Sequence, residues 1–456
     1  MRGLVLTLVA LVAVLPLWAQ DSLAVEGKIP EQVRNDGEVV RNDGEVVRSD
    51  SLSSRPSGRA TRERISVLFD YNAHFDWFFV NNEYSASQQA YGPSRTMTGL
   101  RLTPLVGLRI EQPNGMKHRL LAGIDIEKDF GANPYVYGTE DEQDRKQQNW
   151  NLFREIKIYY TFEAQFKKTN FSVVAGIFPR YETRGKYTTA ILSDPVRFYD
   201  NNIEGLLLRF ARPKSYYEVG LDWNGKYGEW RHEQFNIFSY GDVYILPWLH
   251  FGWQGMFHHY AGAKQQPGVV DDHILNPYFT FDFAPMSGLQ ALNLAVGPFV
   301  GYQRDRRWDE VKVPWGVDAV TEIRHWNVGI RNEFYYGMSQ MPYYAVEDSM
   351  GNLYGDRLYM RGAYWQVRTD PGKLPAYYDR LEAYWQPRIS DWLRVRIAAV
   401  LHFNEGFSGW QQIATLVFDL DTLMKQRHEI QMFPGLRRRD RDRPRARARL
   451  QQPEGR

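Results

Sequence analysis

The 456-residue sequence contains no cysteine, so it has no disulfide framework, no thiolate metal site and no cysteine that could accept a lipid. Beyond its first 19 residues it also lacks any run of about 18 or more apolar residues, which excludes a helical membrane protein. An excess of one charge is absent as well, because the formal net charge is only +2. Aromatic residues, in contrast, are abundant at 15%.

The long apolar run at the start has the features of an export signal. Leu4 to Leu17 follow the basic residue Arg2 and precede the small residue Ala19. A basic start, an apolar core and a small residue before a cleavage point are typical of a secretory signal peptide, which we assign to residues 1–19. Residues 20–62 contain a polar seven-residue repeat that is too short for a solenoid, and we expect a flexible periplasmic linker there.

The other end of the chain, residues 422–456, is basic. From Arg437 to Arg456 there are nine arginines and three acidic residues. Such a charge run is typical of a solvated, disordered tail, and contact with anionic lipid or peptidoglycan stays open as an alternative. Nucleic acid is not an expected partner, because an exported protein rarely meets it.

Between these ends, residues 63–421 alternate between apolar and polar residues. In Ile65 to Phe79 every odd position is apolar, whereas Asp70, His74 and Asp76 occupy even positions. A period of two over this length predicts a strand longer than most strands of soluble proteins. The same pattern recurs in about 14 to 16 segments, which include single strands expected at 322–336 and 354–366.

Short and long connections alternate between these segments. The turn at Pro113 to Met116 is short, whereas the polar connections Ala132 to Asn149 and Tyr181 to Asn202 are long. Tight turns at one rim, long loops at the other and aromatic residues near strand ends are typical of an outer-membrane barrel. The predicted fold is therefore all-β, a transmembrane antiparallel β-barrel of about 14 to 16 strands.

Over about residues 64–420 the chain resembles the porin-like barrels of the Gram-negative outer membrane. The resemblance implies an integral protein of that membrane whose partners are its lipid and lipopolysaccharide, its assembly machinery, and small hydrophilic solutes or glycans. Association with further copies of the chain is a further expectation. No cofactor and no metal site are expected, since the vicinal pair His258 and His259 would point to opposite faces of a strand.

The polar positions of the alternating pattern are expected to face the barrel lumen. A charge at bilayer depth on the lipid face costs about 2–4 kcal/mol, so these residues must face water or one another. They either line an aqueous channel or pair across a narrow interior and plug it. The predicted lumen-lining residues are Asp70, His74, Asp76, Arg101, Arg109, Asp125, Glu127, Glu155, Lys157, Arg394 and Arg396.

The connection Tyr181 to Asn202 is the candidate pore constriction. Its position and mixed charge resemble those of the porin loop that folds inward to narrow the pore, which implies a constriction at Asp194, Arg197, Asp200 and Glu204. An ordinary surface loop with solvated charges is the alternative. The leading functional hypothesis is a channel for passive or weakly selective diffusion of small hydrophilic solutes, and not an enzyme.

Two further functions stay open. Tyr364 and Trp365 lie in an aromatic and arginine-rich connection that could stack on sugars, which would suit a closed barrel that binds surface glycans or assembles capsular polysaccharide. An outer-membrane hydrolase is the lower alternative. It would need serine, histidine and an acid close together, and the spacing of Ser408 and His402 is not specific for such a site.

Overall fold

The structure is a computed structural model, and we describe twelve stretches of it. The proposed signal peptide, the linker and nearly all of the basic tail lie outside them, as does the strand predicted at 354–366. The described stretches are 65–84, 94–130, 153–193, 196, 200–229, 231–265, 268–307, 309–340, 376–387, 389–404, 406–420 and 430–431.

Sixteen strands form a closed antiparallel wall. Each pairs with its neighbours in chain order, and the first strand pairs with the last, which closes the barrel. Two short strands, β12 and β18, extend the ladder at its edges. The strands are β1 (Ser66–Tyr84), β2 (Arg95–Glu111), β3 (Lys117–Asp129), β4 (Phe153–Phe166), β5 (Thr169–Pro179), β6 (Asn202–Arg212), β7 (Ser215–Gly225), β8 (Gln234–Leu246), β9 (Leu249–Ala261), β10 (Val269–Asp282), β11 (Ala291–Asp305), β12 (Glu310–Lys312), β13 (Trp315–His325), β14 (Val328–Gly337), β15 (Ala376–Trp385), β16 (Leu393–Asn404), β17 (Phe407–Asp419) and β18 (Ile430–Gln431).

Helical structure in the described stretches is limited to short turns. The longest is the single turn Ala284–Ser287, and a 3-10 turn, Arg180–Glu182, follows β5. No helix within these stretches is long and apolar enough to cross a membrane. The closed wall of sixteen strands confirms the predicted all-β barrel, with a strand number at the top of the predicted range.

The two faces of the wall differ as the alternation predicts. On β4, Ile156 and Ile158 point outward and are 70% and 52% exposed, whereas Lys157 between them is 2% exposed. On β10, Leu275 and Phe279 are exposed in the same way. Because apolar groups cover the outside and charged groups fill the inside, the wall suits a hydrocarbon surrounding.

The two rims also differ. Adjacent strands are joined at one rim by short turns, such as 112–116, 167–168 and 213–214, and at the other by longer connections such as 180–201. Outer-membrane barrels have short turns on the periplasmic side and longer loops outside. We therefore call the first the inner rim and the second the outer rim.

One strand boundary was predicted wrongly. The single strand expected at 322–336 is a hairpin of β13 and β14, which turns at Trp326 and Asn327. Both turn residues have positive φ angles, 47° and 70°. Positive φ at both central residues is the geometry of a tight hairpin turn, which usually carries glycine, so Trp326-Asn327 gives little signal in the sequence.

The lipid-facing position Leu275 offers a test of the barrel. It lies midway along β10, and Leu275→Arg should destabilise the folded protein by about 2–4 kcal/mol because a charge would enter the hydrocarbon. Unfolding by denaturant in lipid vesicles measures this loss. Val313→Arg, at an exposed site in the connection after β12, is the matched control and should change stability by about 1 kcal/mol or less. Equal losses in both variants would contradict the assignment of the lipid face.

Candidate functional site

The connection between β5 and β6 enters the barrel. Tyr187 to Ile191 and Ser193 are all buried. The ring of Tyr187 makes edge-to-face contacts with Phe238 and Tyr240, which lie two residues apart on β8. We call residues 183–193 the strap. The strap therefore folds inward from the wall, and its role as a pore constriction stays a prediction.

An arginine clasp holds the two ends of this connection together. Arg180 Nη2 lies 2.9 Å from Asp200 Oδ2 and 2.9 Å from Asp222 Oδ2 on β7, and it donates to the Asn202 carbonyl oxygen at 2.8 Å. Arg180 and Asp222 are both buried. Since removing one partner of a buried ion pair is strongly unfavourable, the clasp fixes where the strap leaves the wall.

The strap is then anchored to β7. The carboxylate of Glu218 accepts the backbone N–H groups of Arg184 and Gly185, each at 2.9 Å. A Cβ atom at residue 185 would lie 2.5 Å from Glu218 Oε1, so only glycine allows this close approach. Burial raises the pKa of Tyr187 well above its ordinary value, and the negative charge of Glu218 raises it further, so the buried phenol stays neutral.

The far end of the strap reaches the opposite wall. The Thr188 N–H donates to Gln254 on β9 at 2.9 Å, and the Thr189 hydroxyl donates to Glu333 on β14. In the strand order, β14 lies seven strands from β6 in one direction and eight strands from β5 in the other. The strap therefore crosses the lumen.

A ladder of amides continues from the strap along the lumen wall. Gln254 donates to Asn276 Oδ1 on β10 at 2.7 Å, and Asn276 donates to Asp318 Oδ1 on β13 at 2.7 Å. All three side chains are nearly fully buried. The ladder satisfies polar groups that would otherwise be costly in a dry interior.

On the other side of the strap, four neighbouring strands bring charged side chains together. The Thr103 hydroxyl on β2 donates to Asp125 Oδ1 on β3 at 2.8 Å, and Lys157 Nζ on β4 lies 3.5 Å from both Thr103 Oγ1 and Asp125 Oδ2. Arg101 Nη2 pairs with Glu127 Oε2 at 2.7 Å. All five side chains are buried, and the four charged ones are paired with one another.

A histidine on β1 completes this group. His74 Nε2 lies 3.0 Å from Asp76 Oδ1, and His74 and Thr103 are direct cross-strand partners. Tyr181, at the start of the strap connection, lies over the imidazole with the ring centroids 4.7 Å apart. The β1–β4 polar cluster consists of His74, Asp76, Arg101, Thr103, Asp125, Glu127 and Lys157.

The members of this cluster lie at different levels of the wall. His74 lies midway along β1 and pairs with Asp419, the last residue of β17, whereas Lys157 lies near the outer rim. Ile158, next to Lys157, pairs with Ile177, and β5 ends two residues later at Pro179. An imidazole held by a carboxylate can accept a proton at its other ring nitrogen. The cluster therefore combines a candidate base, a hydroxyl and two cations on the lumen face of the β1–β4 wall.

The predicted lumen-lining residues are found mainly on the inward face. Many of their charges are paired, as in the buried Asp70 with Arg119 and in Arg396 with the buried Glu382, instead of lining a wide aqueous space. Arg394 is exposed near the inner rim, and the side chain of Glu155 lies outside the described residues. Of the two outcomes left open by the sequence, these contacts favour pairing.

The four predicted constriction residues do not meet at one point. Asp200 belongs to the arginine clasp, whereas Asp194 and Arg197 lie outside the described residues. Glu204 is exposed, because Ile203 and Leu207 point inward on β6 and the even positions between them point outward. Glu204 therefore does not face the lumen, and its predicted place in the constriction is wrong.

The remaining predicted features fall at three other places. Tyr364 and Trp365 lie outside the described residues. Both ring nitrogens of His402 are hydrogen-bonded, to Tyr378 and Gln411, so this histidine is not paired with Ser408 as a base. Within the described stretches, no group of three or more histidine or acidic residues is placed to hold a metal ion.

The sequence was compared with models of known protein families. The model described as Lipid A 3'-O-deacylase-type matches residues 66–354, which is more than half of the chain. The chain belongs to this family. The prediction that the protein is not an enzyme is therefore wrong, since the family is named for a deacylase activity. The matched residues include β1 to β14 and with them the whole β1–β4 polar cluster.

Solved structures resemble the deacylase-type chain in architecture. A loop-deletion mutant of OmpT from Vibrio cholerae has a TM-score of 0.45 at 8% identity and covers 78% of this chain and 99% of its own. An anion-selective porin from Comamonas acidovorans has a TM-score of 0.41 at 10% identity and covers 78% and 100%. A search of the curated proteins finds no match. The protein is an integral barrel of the Gram-negative outer membrane.

The anchor between Glu218 and the strap can be tested by proteolysis. Glu218→Gln keeps the shape but removes one of the two acceptor oxygens for the strap amides, so the strap should open more often. We expect trypsin to cleave after Arg184 and Lys186 about tenfold faster. Glu229→Gln, at an exposed site, is the control. Unchanged cleavage in folded Glu218→Gln protein would contradict the anchoring.

Proposed function

We propose that this protein hydrolyses an ester-linked acyl chain of lipid A at the β1–β4 polar cluster. The observation that carries the proposal is the His74–Asp76 pair beside Thr103, within the matched residues of a family named for lipid A deacylation. The Lys157 end of the cluster lies near the outer rim, which is the rim on the side of the outer-leaflet headgroups. Tyr181 of the strap connection forms the second wall of the site.

The contacts suggest a role for each group. The N–H at Nε2 of His74 donates to Asp76, which leaves Nδ1 to take a proton from a water molecule. That water attacks the ester carbonyl carbon and forms a tetrahedral oxyanion. Lys157 and Arg101 supply positive charge next to it. When the bond to the sugar oxygen breaks, His74 returns the proton to that oxygen, and a fatty acid and an alcohol are released.

The role of His74 can be tested with purified, refolded protein in mixed micelles with lipid A. His74→Gln should reduce the rate of fatty acid release about 100- to 10,000-fold, because the general base is lost. Mass spectrometry of the lipid and of the free acid measures the rate.

The matched control is His118→Gln. His118 lies on β3 at the inner rim, where it is hydrogen-bonded to Tyr160, so its loss should leave the rate unchanged. Folding of each variant is checked by heat-modifiable gel mobility. If folded His74→Gln protein releases fatty acid as fast as the unmodified protein, the proposed active site is wrong.

A diffusion channel for small hydrophilic solutes is the second candidate function. One observation favours it: the strap carries two exposed cations, Arg184 and Lys186, beside its buried portion. Exposed charge on a segment folded into the barrel is the arrangement of a charge-selective constriction. The solute, and glycan binding by Tyr364 and Trp365, stay predictions.

Planar-bilayer recording tests the channel. Folded protein should give discrete conductance steps, and Glu218→Gln should enlarge them because the loosened strap would leave more of the lumen open. Val313→Arg, outside the barrel wall, should leave the steps unchanged. The absence of conductance above background from protein with normal heat-modifiable mobility would exclude this function without affecting the hydrolase proposal.

A further inference from the structure

The outer face of the barrel carries a cluster of mostly polar residues at the outer rim, on the strands from β8 to β11. We call it the rim patch, and it consists of Phe235, His259, Asp271, Arg304 and Arg306. His259 and Asp271 are direct cross-strand partners on β9 and β10, and Asp271 is also the cross-strand partner of Arg304 on β11. The patch is separate from the β1–β4 polar cluster, which faces the lumen.

The contacts within the patch hold Asp271 at its centre. His259 Nδ1 lies 2.8 Å from Asp271 Oδ1, and Arg306 donates from Nε to Asp271 Oδ2 at 2.6 Å. The imidazole of His259 stacks on Phe235 at 4.8 Å. Arg304 Nη2 lies 2.6 Å from Asp309, whose side chain is 78% exposed.

The orientation of the patch follows from its neighbours. His258 is fully buried in the lumen, so His259 next to it points outward. Further down the same outer face, Leu275, Phe279 and Val300 are exposed apolar residues. His259 is two residues from the end of β9 at the outer rim, so the patch lies above the apolar belt.

Aromatic rings lie between the apolar belt and the charged residues. His273 stacks on Tyr302 with the ring planes 8° apart, and it also contacts Phe257. Tyr302 is 42% exposed. From the middle of the wall to the outer rim, the outer face thus passes from aliphatic to aromatic to charged residues, which matches the passage from acyl chains to headgroups in the outer leaflet.

We propose that the rim patch docks the phosphate-bearing sugar headgroup of an outer-leaflet lipid. Arg304 and Arg306 would contact the phosphate, and the rings of Tyr302 and His259 would lie along the sugar. The identity of that lipid as lipid A rests on the proposed function, whereas the docking itself requires no hydrolysis.

The arginines suit a phosphate because their present contacts leave donors for it. A guanidinium has five N–H donors in a fixed fork that matches phosphate oxygens. The contacts within the described residues use Nε and Nη2 of Arg306 and Nη2 of Arg304. The Arg304–Asp309 pair is solvent-exposed, and such pairs contribute little to stability, so a phosphate can displace Asp309 at small cost.

A lipid headgroup fits better than a free anion. The patch is continuous with an exposed apolar face, so the ligand it suits carries a negative charge and acyl chains together. A free phosphate would satisfy the arginines alone. A second copy of this chain would cover the same face, and it is therefore an outcome of the test.

The test measures binding of lipid A to the purified full chain in detergent micelles by native mass spectrometry. The two probes are lipid A with its phosphates and the same lipid after phosphatase treatment. In Arg304→Gln/Arg306→Gln, the affinity for the phosphorylated lipid should fall about tenfold, whereas the affinity for the dephosphorylated lipid should not change. Arg304→Gln alone avoids leaving Asp271 without its partner, and it should show a smaller loss in the same direction.

The matched control is Arg212→Gln. Arg212 points outward on β6 next to the short turn 213–214 at the inner rim, so its loss should leave lipid A binding unchanged. Equal affinity for both lipids in the unmodified protein would overturn the proposal, as would full competition by inorganic phosphate. A change in oligomer mass of the double variant with unchanged lipid binding would show an interface between copies and would also overturn it.

Failure of this proposal and failure of the hydrolase proposal give different results. If the double variant binds lipid A normally while fatty acid release still depends on His74, only the rim patch assignment is wrong. If phosphate-dependent binding is lost in the double variant but no fatty acid is released by the unmodified protein, only the hydrolase proposal is wrong.

Discussion

The closed backbone ladder from β1 to β17 and back to β1 is the constraint on which the other features depend. In hydrocarbon each unsatisfied peptide group is costly, and closure leaves no open edge. Because the ladder fixes the backbone, alternate side chains must point to lipid and to lumen. At the depth of the hydrocarbon, charged residues can then lie only inside, where Arg101, Glu127, Lys157 and their partners neutralise one another.

The strap depends on this interior. Its backbone amides are held by carboxylate and amide groups that the wall presents to the lumen, such as Glu218 and Gln254, and its root is held by the Arg180 clasp. The strap divides the lumen, with the amide ladder on one side and the β1–β4 polar cluster on the other. Tyr181 brings the strap connection against His74, so the candidate site is formed by the wall and the connection together.

The features that could be predicted from the sequence are those that depend on the alternation of apolar and polar residues. The alternation in β1 predicted which face carries Asp70, His74 and Asp76, and it predicted the barrel. It did not reveal the hairpin at Trp326-Asn327, because those residues lack the usual turn signal. Applied to β6, the same alternation from Ile203 would have placed Glu204 outside the lumen.

The candidate site was harder to recognise. His74 and Asp76 were predicted only as lumen-lining residues, since their pairing with Thr103 and Lys157 depends on strand register, which single positions do not specify. Thr103 gave no signal, because threonine is common in strands. The enzyme class came from the family match alone.

The strap also has a mechanical consequence. The softest deformation of a hollow cylinder is ovalisation, in which two opposite walls approach each other while the other two separate. A tie between the β5–β6 side and β14 resists ovalisation along its own diameter and along the perpendicular one, because the two change together, and it leaves free the ovalisation whose axes lie between them. Under lateral pressure from the bilayer, the barrel should therefore flex anisotropically, with the β1–β4 wall among the parts that can still move.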